Sequence, residues 1–505
     1  MRVLVTGAAG TMGYETIRQM ADDQCTYDVR VTDLPGKKSE ERLGCFVNKQ
    51  RFEVVYGDLT KYEDALKLVK DCDLILHIAA FVSPAADYYP KRAMQVNYGG
   101  TRNLIKAIFE LHQENVTRFV YIDTVAETGD RLPPIHWGRV GDPIKPSMFD
   151  YYAVTKVASE RMVIESGLKY WASLRQTGMM GPAMAKVRDA IQFHNCLANV
   201  LEYVSDRDSG RCMDHIAVYL EQKKLPASFW NHIYNIGGGE KCRLATVDLY
   251  RQMYGRLGFT SLDDIIDPKL NATRNFHGQY YLDSDKLENY LHFRHDDMTY
   301  FYDAFLKEVG AGVPVLRAMN RLPHGQKLAG DIMKKFVFAP LMNSEHGTKH
   351  WLDEDMQDHI NAYWGSKAAW QRIPDKVSQI HFQEDLSKVV PIDHGYDETK
   401  PESELNLSDM QKAAEFRVGK CLSSEMETGR WDQKLTFRCA FGHTFKASPR
   451  LILEGGHWCP ECEKKSWNYG NRAKVDPFFA QVWNPLHDLD ETREYPKEVS
   501  EDDMQ

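Results

Sequence analysis

The sequence predicts an α/β protein built on a doubly wound parallel sheet. Two observations carry this. Short apolar strands alternate with amphipathic helices through the first part of the chain, and a glycine-rich turn joins the first strand to the first helix. A third observation, a cysteine and histidine quartet near the C-terminus, adds a small module of another kind.

The chain has 505 residues, room for two to four domains at ~100–200 residues each. Its 43% hydrophobic and 27% charged residues suit a globular chain with a sizeable core. A net charge of −9 and a pI near 6.1 supply no basic field for nucleic acid or an acidic membrane surface. No apolar run approaches the ~18 residues of a membrane span. The opening MRVLVTGAAG enters a strand and a turn rather than a signal peptide. A cytoplasmic protein without membrane or nucleic-acid partners is therefore expected. In that reducing compartment the scattered Cys25, Cys45, Cys72, Cys196, Cys212 and Cys242 read as buried thiols.

The first strand is Val3 to Val5, and Gly7, Gly10 and Gly13 follow before a helical pattern. Such glycines permit a tight turn, close backbone approach to a pyrophosphate and close helix–strand packing. The helix that follows aims its free N–H groups and positive end at the phosphates. The second strand, YDVRVTD, ends in Asp33, twenty residues beyond Gly13. An acid there accepts hydrogen bonds from the adenosine ribose and repels a 2′-phosphate, which favours NAD over NADP.

The alternation continues with FEVVYGDLT as strand and turn, YEDALKLVKDC as helix and DLILHIAA as a buried strand. NYGGTRNLIKAIFELH is the next helix and RFVYIDT the next strand. Right-handed βαβ units then give a parallel sheet covered on both faces. Ligands bind beyond the carboxyl ends of such strands, where Asp58, Ala79, Ala80 and Thr124 fall.

The ordered set TGAAGTMG (6–13), Asp33, GDLT (57–60), HIAA (77–80), VNYGGTRNLI (96–105), FVYIDT (119–124), Tyr152 with Lys156, LRQTGMMGP (174–182) and YNIGGGE (234–240) resembles the extended short-chain dehydrogenase/reductases, the NAD-dependent epimerase/dehydratase family. The resemblance covers roughly the first 300 residues. It implies a Rossmann-type domain with a smaller substrate lobe. It further implies that Gly7, Gly10, Thr11, Met12, Gly13, Asp33, Asp58, Leu59, Ala79, Ala80 and Asn97 hold or support the cofactor. In its terms Tyr152 is the acid/base, Lys156 lowers the phenol pKa and holds the nicotinamide ribose, and Thr124 hydrogen-bonds the substrate oxygen. A tyrosine alone, with a pKa of ~10, is a poor base at neutral pH, and a lysine one helical turn on faces the same side.

Departures from the family pattern narrow the reaction. The dehydratase Asp-Glu pair after the threonine is Val125-Ala126 here, so 4,6-dehydration is not expected. Asp123 replaces the usual serine, and MDHIA (213–217) only echoes the segment of sugar-nucleotide members. Beyond 240 the pattern reads as helices of the substrate lobe, and NFHGQYYLDSDKLENYLHFRHDD (275–297) reads as a surface helix packed on the lobe, with a substrate wall as the alternative. EHGTKHWLDEDMQDH (345–359), with His346, His350 and His359, reads as a solvated helix face rather than a metal site, and DETKPESELNLSD (397–409) as a linker.

Near the C-terminus, Cys439, His443, Cys459 and Cys462 have the spacing of four converging zinc ligands, and the segment resembles treble-clef zinc ribbons. Four ligands leave no open position, so a structural zinc is expected, with His457 a spare candidate. Residues 416–472 carry ten Lys/Arg and six Asp/Glu, too mild an excess for nucleic acid. The expected organisation is 1–325 for the NAD-binding and substrate domain, 326–415 helical or linker, 416–470 zinc ribbon and 471–505 tail. The expected activity is NAD-dependent epimerase or dehydrogenase chemistry at a secondary alcohol or ketone of a sugar-like small molecule, in a homo-oligomer. The alternative is an NAD(H)-sensing regulatory protein with the zinc ribbon as effector, which would not need Thr124, Tyr152 and Lys156.

Overall fold

The computed structural model describes residues 1–22 and 26–504. Seven parallel strands form the central sheet: β1 (Arg2–Thr6), β2 (Asp28–Thr32), β3 (Phe52–Val54), β4 (Leu74–His77), β5 (Arg118–Thr124), β6 (Tyr170–Gln176) and β7 (His232–Ile236). Their order across the sheet is β7-β6-β5-β4-β1-β2-β3. The order reverses between β1 and β4, which is the switch point of a Rossmann-type sheet. Val3, Leu4 and Val5 are all fully buried because helices cover both faces, so the strand reads as a continuous apolar run rather than an alternating one.

Helices α1 (Thr11–Asp22), α2 (Tyr62–Val69), α3 (Gly100–Glu110), α4 (Tyr151–Ile164) and α5 (Asp206–Glu221) flank the sheet. Helix α4 starts where the Asp150 carboxylate accepts from Ala153 N at 2.8 Å, a side-chain cap that satisfies a free N–H. It is buried on most of its faces, from Tyr151 through Lys156 and Glu160 to Ile164.

Beyond residue 240 the chain forms helices Thr246–Gly255, Ser284–Leu291 and Met298–Val309. The favoured reading of 275–297 as one surface helix is corrected toward its alternative, a wall. Only Ser284–Leu291 is helical there, and Phe276 and His277 face a cavity. In 345–359 the histidines serve as stacking rings: His346 lies on Tyr88 at 3.5 Å and His359 on Phe149 at 4.3 Å. The 397–409 segment is not bare linker, since Asn406 caps the helix Leu407–Phe416 and the buried Asp409 closes the capping box by accepting from Asn406 N.

A C-terminal sheet of Lys420–Cys421, Leu435–Arg438 and Thr444–Ala447 packs beside α2, α3 and α4. One apolar cluster joins Leu68, Leu104 and Val163 to Phe437, Ile452 and Trp458. Cys72, Cys196, Cys212 and Cys242 are buried free thiols as expected, whereas Cys45 is exposed, and Cys25 lies outside the described residues. Among the described residues no helix is long and apolar enough to cross a membrane.

Candidate active site

The turn after β1 is shaped by close approach. Gly7 has φ +67°, and a Cβ on it would meet Ala79 Cα at 2.7 Å. A Cβ on Gly13 would lie 2.2 Å from Gly7 O, so nothing larger than hydrogen fits between turn and helix. Asp33 braces the turn, its carboxylate accepting from Ala9 N at 2.8 Å and Leu34 N at 2.8 Å. At the end of β4, Ile78 N and Ala79 N donate to Thr6 Oγ1, both at 3.1 Å, which holds the two crossing segments together. His77 bridges Thr6 and Thr101 at 2.9 Å on each side, and burial, helped by Lys156, lowers it to about 3, so its ring is neutral.

Above the carboxyl ends of the strands lies a cavity of about 1040 Å³. Gly7, Gly10, Thr11, Met12, Gly13, Asp33, Asp58, Leu59, Ala79, Ala80, Thr124 and Tyr152 all line it. Asp58 also ties its own turn through Thr60 N and Oγ1, at 3.0 and 2.7 Å. Asn97 and Lys156 are placed behind the wall. Asn97 accepts from Phe81 N at 2.7 Å and donates to Phe81 O and Thr155 Oγ1, so it fastens the post-β4 segment to α4. The Lys156 ammonium donates to Ile122 O and sits 4.0 Å over the Tyr121 ring.

The electrostatics around the pair follow from burial. The expected lowering of the Tyr152 phenol by Lys156 is corrected: desolvation raises it above its usual value, with Asp123 and Asp150 adding to this and a Thr124 hydrogen bond opposing it. Lys156 is lowered to about 8 by burial, against the pull of Asp123, Glu127 and Glu160. Burial and the neighbouring Glu160 push the Asp123 carboxyl well above the usual range. Burial, Asp123 and Glu160 do the same to Glu127. The upward push on Asp123 and Glu127 favours their neutral forms, which eases the crowding of three acids around two cations.

Much of the remaining cavity wall was not evident in the sequence. Leu249, Met253, Leu257, Phe301, Phe305 and Phe338 line it, from elements separated along the chain. Phe276 and His277 enter it from a pinned loop. Asn275, at φ +66°, accepts from Met148 N at 2.8 Å and donates to Met148 O, while its own N–H donates to Asp130. The aromatic and histidine content of 275–281 was the available signal.

The C-terminal quartet is drawn together. His443 Nδ1 lies 3.5 Å from Cys439 Sγ, 3.7 Å from Cys459 Sγ and 3.5 Å from Cys462 Sγ, and the sulfurs of Cys439 and Cys462 are 3.6 Å apart. A tetrahedral zinc at ~2.3 Å from sulfur and ~2.0–2.1 Å from nitrogen demands edges of roughly 3.6–3.8 Å. The donor set therefore fits that ion. His457 is directed elsewhere, onto Glu160 at 2.9 Å.

Residues 4–205 match the model of the 3-beta hydroxysteroid dehydrogenase/isomerase family. A 3-beta-hydroxysteroid dehydrogenase of Mycolicibacterium neoaurum is 28% identical over 214 residues, 40% of this chain and 52% of the relative. A 3 beta-hydroxysteroid dehydrogenase/Delta 5-->4-isomerase of Mycobacterium tuberculosis is 30% identical over 193 residues, 36% of this chain and 47% of that one. The chain spans about half the length of these curated relatives. Among solved structures, a dTDP-glucose 4,6-dehydratase double mutant from Streptomyces venezuelae is similar at 21% identity and TM-score 0.49, over 61% of this chain and 98% of that one.

Proposed function

We propose that this chain is an NAD-dependent oxidoreductase or epimerase acting at a secondary alcohol or ketone of a small molecule. The observation that carries the reading is one cavity with a glycine turn and Asp33 at one end and Thr124 with Tyr152 further in. Bound NAD supplies the hydride acceptor and donor. Around it, the turn's backbone N–H groups and the start of α1 face the pyrophosphate. Each Asp33 oxygen keeps a lone pair beyond its loop bond, free for a ribose hydroxyl. Asn97 and Lys156 act from behind the wall, the first holding the Phe81 backbone and the second tying α4 to the Ile122 carbonyl near the end of β5. Tyr152 gives its phenol proton to the carbonyl oxygen on reduction and, as the phenolate so formed, takes it back on oxidation, and the Thr124 hydroxyl holds the substrate oxygen.

For the substrate, a sugar derivative and an apolar ring system are the two readings. The wall of Leu249, Met253, Leu257, Phe301, Phe305 and Phe338 favours the apolar one, because these side chains offer nothing to replace the water around sugar hydroxyls. A dinucleotide sensor would have no use for Thr124 and Tyr152 in the same cavity. We also assign a structural zinc to Cys439, His443, Cys459 and Cys462, on the edge lengths above.

The test is calorimetric NAD binding followed by NADH absorbance with 3β-hydroxysteroids and with sugars. NAD binding with turnover on one class supports the reading, and turnover on steroids alone supports the apolar substrate. Failure to bind any dinucleotide overturns both.

A further inference from the structure

Glu160 follows Lys156 by four residues, so it lies one turn further along the same face of α4. Arg175 on β6 stands beside Asp123 of β5 in the strand register, next to the Thr124 and Gln176 pair. These groups meet in the interior. Arg175 donates to Glu160 at 2.6 and 3.1 Å and lies 3.4 Å from Glu127, and Ser173 Oγ donates to Glu160 at 2.8 Å. Asp123, Glu127 and Glu160 are 0% exposed, Arg175 1% and Lys156 2%. A polar cluster this dry persists only while its members keep their partners, since a buried charge stripped of one costs several kcal/mol.

Two of those partners come from the far end of the chain. Gly455 O accepts from Arg175 at 2.8 Å, and His457 Nε2 meets Glu160 at 2.9 Å. His457, 1% exposed, stands two residues before Cys459. The backbone between them has no slack, because a Cβ on Gly456 (φ +72°) would sit 1.9 Å from Asp142 O. The strand of chain that brings Cys459 and Cys462 to His443 is thus the strand that closes the polar cluster behind Lys156.

We propose that His457 and the Gly455 carbonyl are positioning groups for the Tyr152 and Lys156 pair, and that the four-ligand metal site and the dinucleotide site are thereby coupled in binding. This rests on the function proposed above. Metal at the quartet fixes residues 455–459, these fix Glu160 and Arg175, and the fixed cluster holds α4, and with it Tyr152 at the cavity wall, where a bound dinucleotide needs it. Linkage then requires reciprocity: whatever factor the metal adds to dinucleotide affinity, the dinucleotide adds to metal affinity.

The experiment uses the full-length chain. NADH affinity is measured by fluorescence titration with zinc loaded and with zinc stripped by chelator. Zinc affinity is measured by chelator competition with and without NADH. The expected result is a matched shift in both, within the range of about 5- to 150-fold typical of coupled sites. His457→Ala should keep one zinc per chain and weaken NADH in the same direction, and His457→Gln, which restores a nitrogen donor to Glu160, should recover most of it. Zinc affinity indifferent to NADH, or NADH affinity indifferent to His457→Ala, overturns the coupling while NADH binding itself preserves the dinucleotide reading. A chain that binds zinc but no dinucleotide overturns that reading, and one that binds no zinc overturns the metal assignment; in either case the coupling falls with it.

Discussion

Replacing Glu454 with glutamine should loosen the seam between the C-terminal segment and the edge of the central sheet. Glu454 accepts from Ile233 N at 3.0 Å on the edge strand β7, and pairs with His232 at 2.9 Å and Arg450 at 2.6 Å. Burial alone would raise its carboxyl, but Arg450 and His232 outweigh burial and hold it at about 2, against the usual 4.5. That displacement of about 2.5, at ~1.4 kcal/mol per pH unit, is worth about 3 kcal/mol of local stability at pH 7. Because the folded value lies below the unfolded one, the contribution is complete above about pH 5 and is lost as the pH falls toward about 2. By about pH 3 roughly half or more of it should be gone. Peptide-resolved hydrogen–deuterium exchange over residues 231–237 and 448–458 reads it directly. Wild type should exceed Glu454→Gln in opening free energy by about 3 kcal/mol at neutral pH and by about 1 kcal/mol near pH 3. Equal protection of the two proteins at neutral pH, or a gap that does not narrow on acidification, would refute the reasoning.

Three more outcomes follow from the site. Tyr152→Phe should cost at least ~10²-fold in turnover with NADH affinity retained, since only the proton-moving oxygen is removed; rates equal to wild type in a coupled absorbance assay would place the chemistry elsewhere. Gly13→Ala should abolish dinucleotide binding in calorimetry, because its Cβ would lie 2.2 Å from Gly7 O and force the turn open. Asp33→Asn should narrow the preference for NAD over NADP by removing the charge opposed to a 2′-phosphate, and an unchanged ratio of affinities would take Asp33 out of coenzyme choice.

The parts of the molecule legible in the sequence are those written in neighbouring residues. Buried parallel strands leave unbroken apolar runs, and a strand–turn–helix leaves glycines at fixed offsets. The cysteine and histidine quartet likewise shows in its short spacings. The Lys156 contacts were not legible: spacing puts lysine and tyrosine on one helix face, but the ammonium's position over Tyr121 and against Ile122 O depends on β5, more than thirty residues away. The misread 275–297 stretch failed for a related reason. Its polar and aromatic composition suits a solvated helix, yet Asn275 is pinned to Met148 and Asp130 from over a hundred residues away, and that pinning turns Phe276 and His277 inward. The bond between His457 and Glu160 spans 297 positions, a separation no local pattern encodes.

The cavity wall also divides the chain by the kind of change it tolerates. The turn, Asp33, Thr124 and Tyr152 all fall before residue 160, inside the stretch that matches the family model, while Leu249, Phe301 and Phe338 fall outside it. A methylene gained or lost against such a wall shifts selectivity by ~1–3 kcal/mol, and none of these three side chains bonds to the proton-moving pair. On the function proposed above, drift in the second half exchanges one guest for another and leaves the reaction unchanged. An engineer could follow the same route, recombining the lobe of one homologue with the sheet of another.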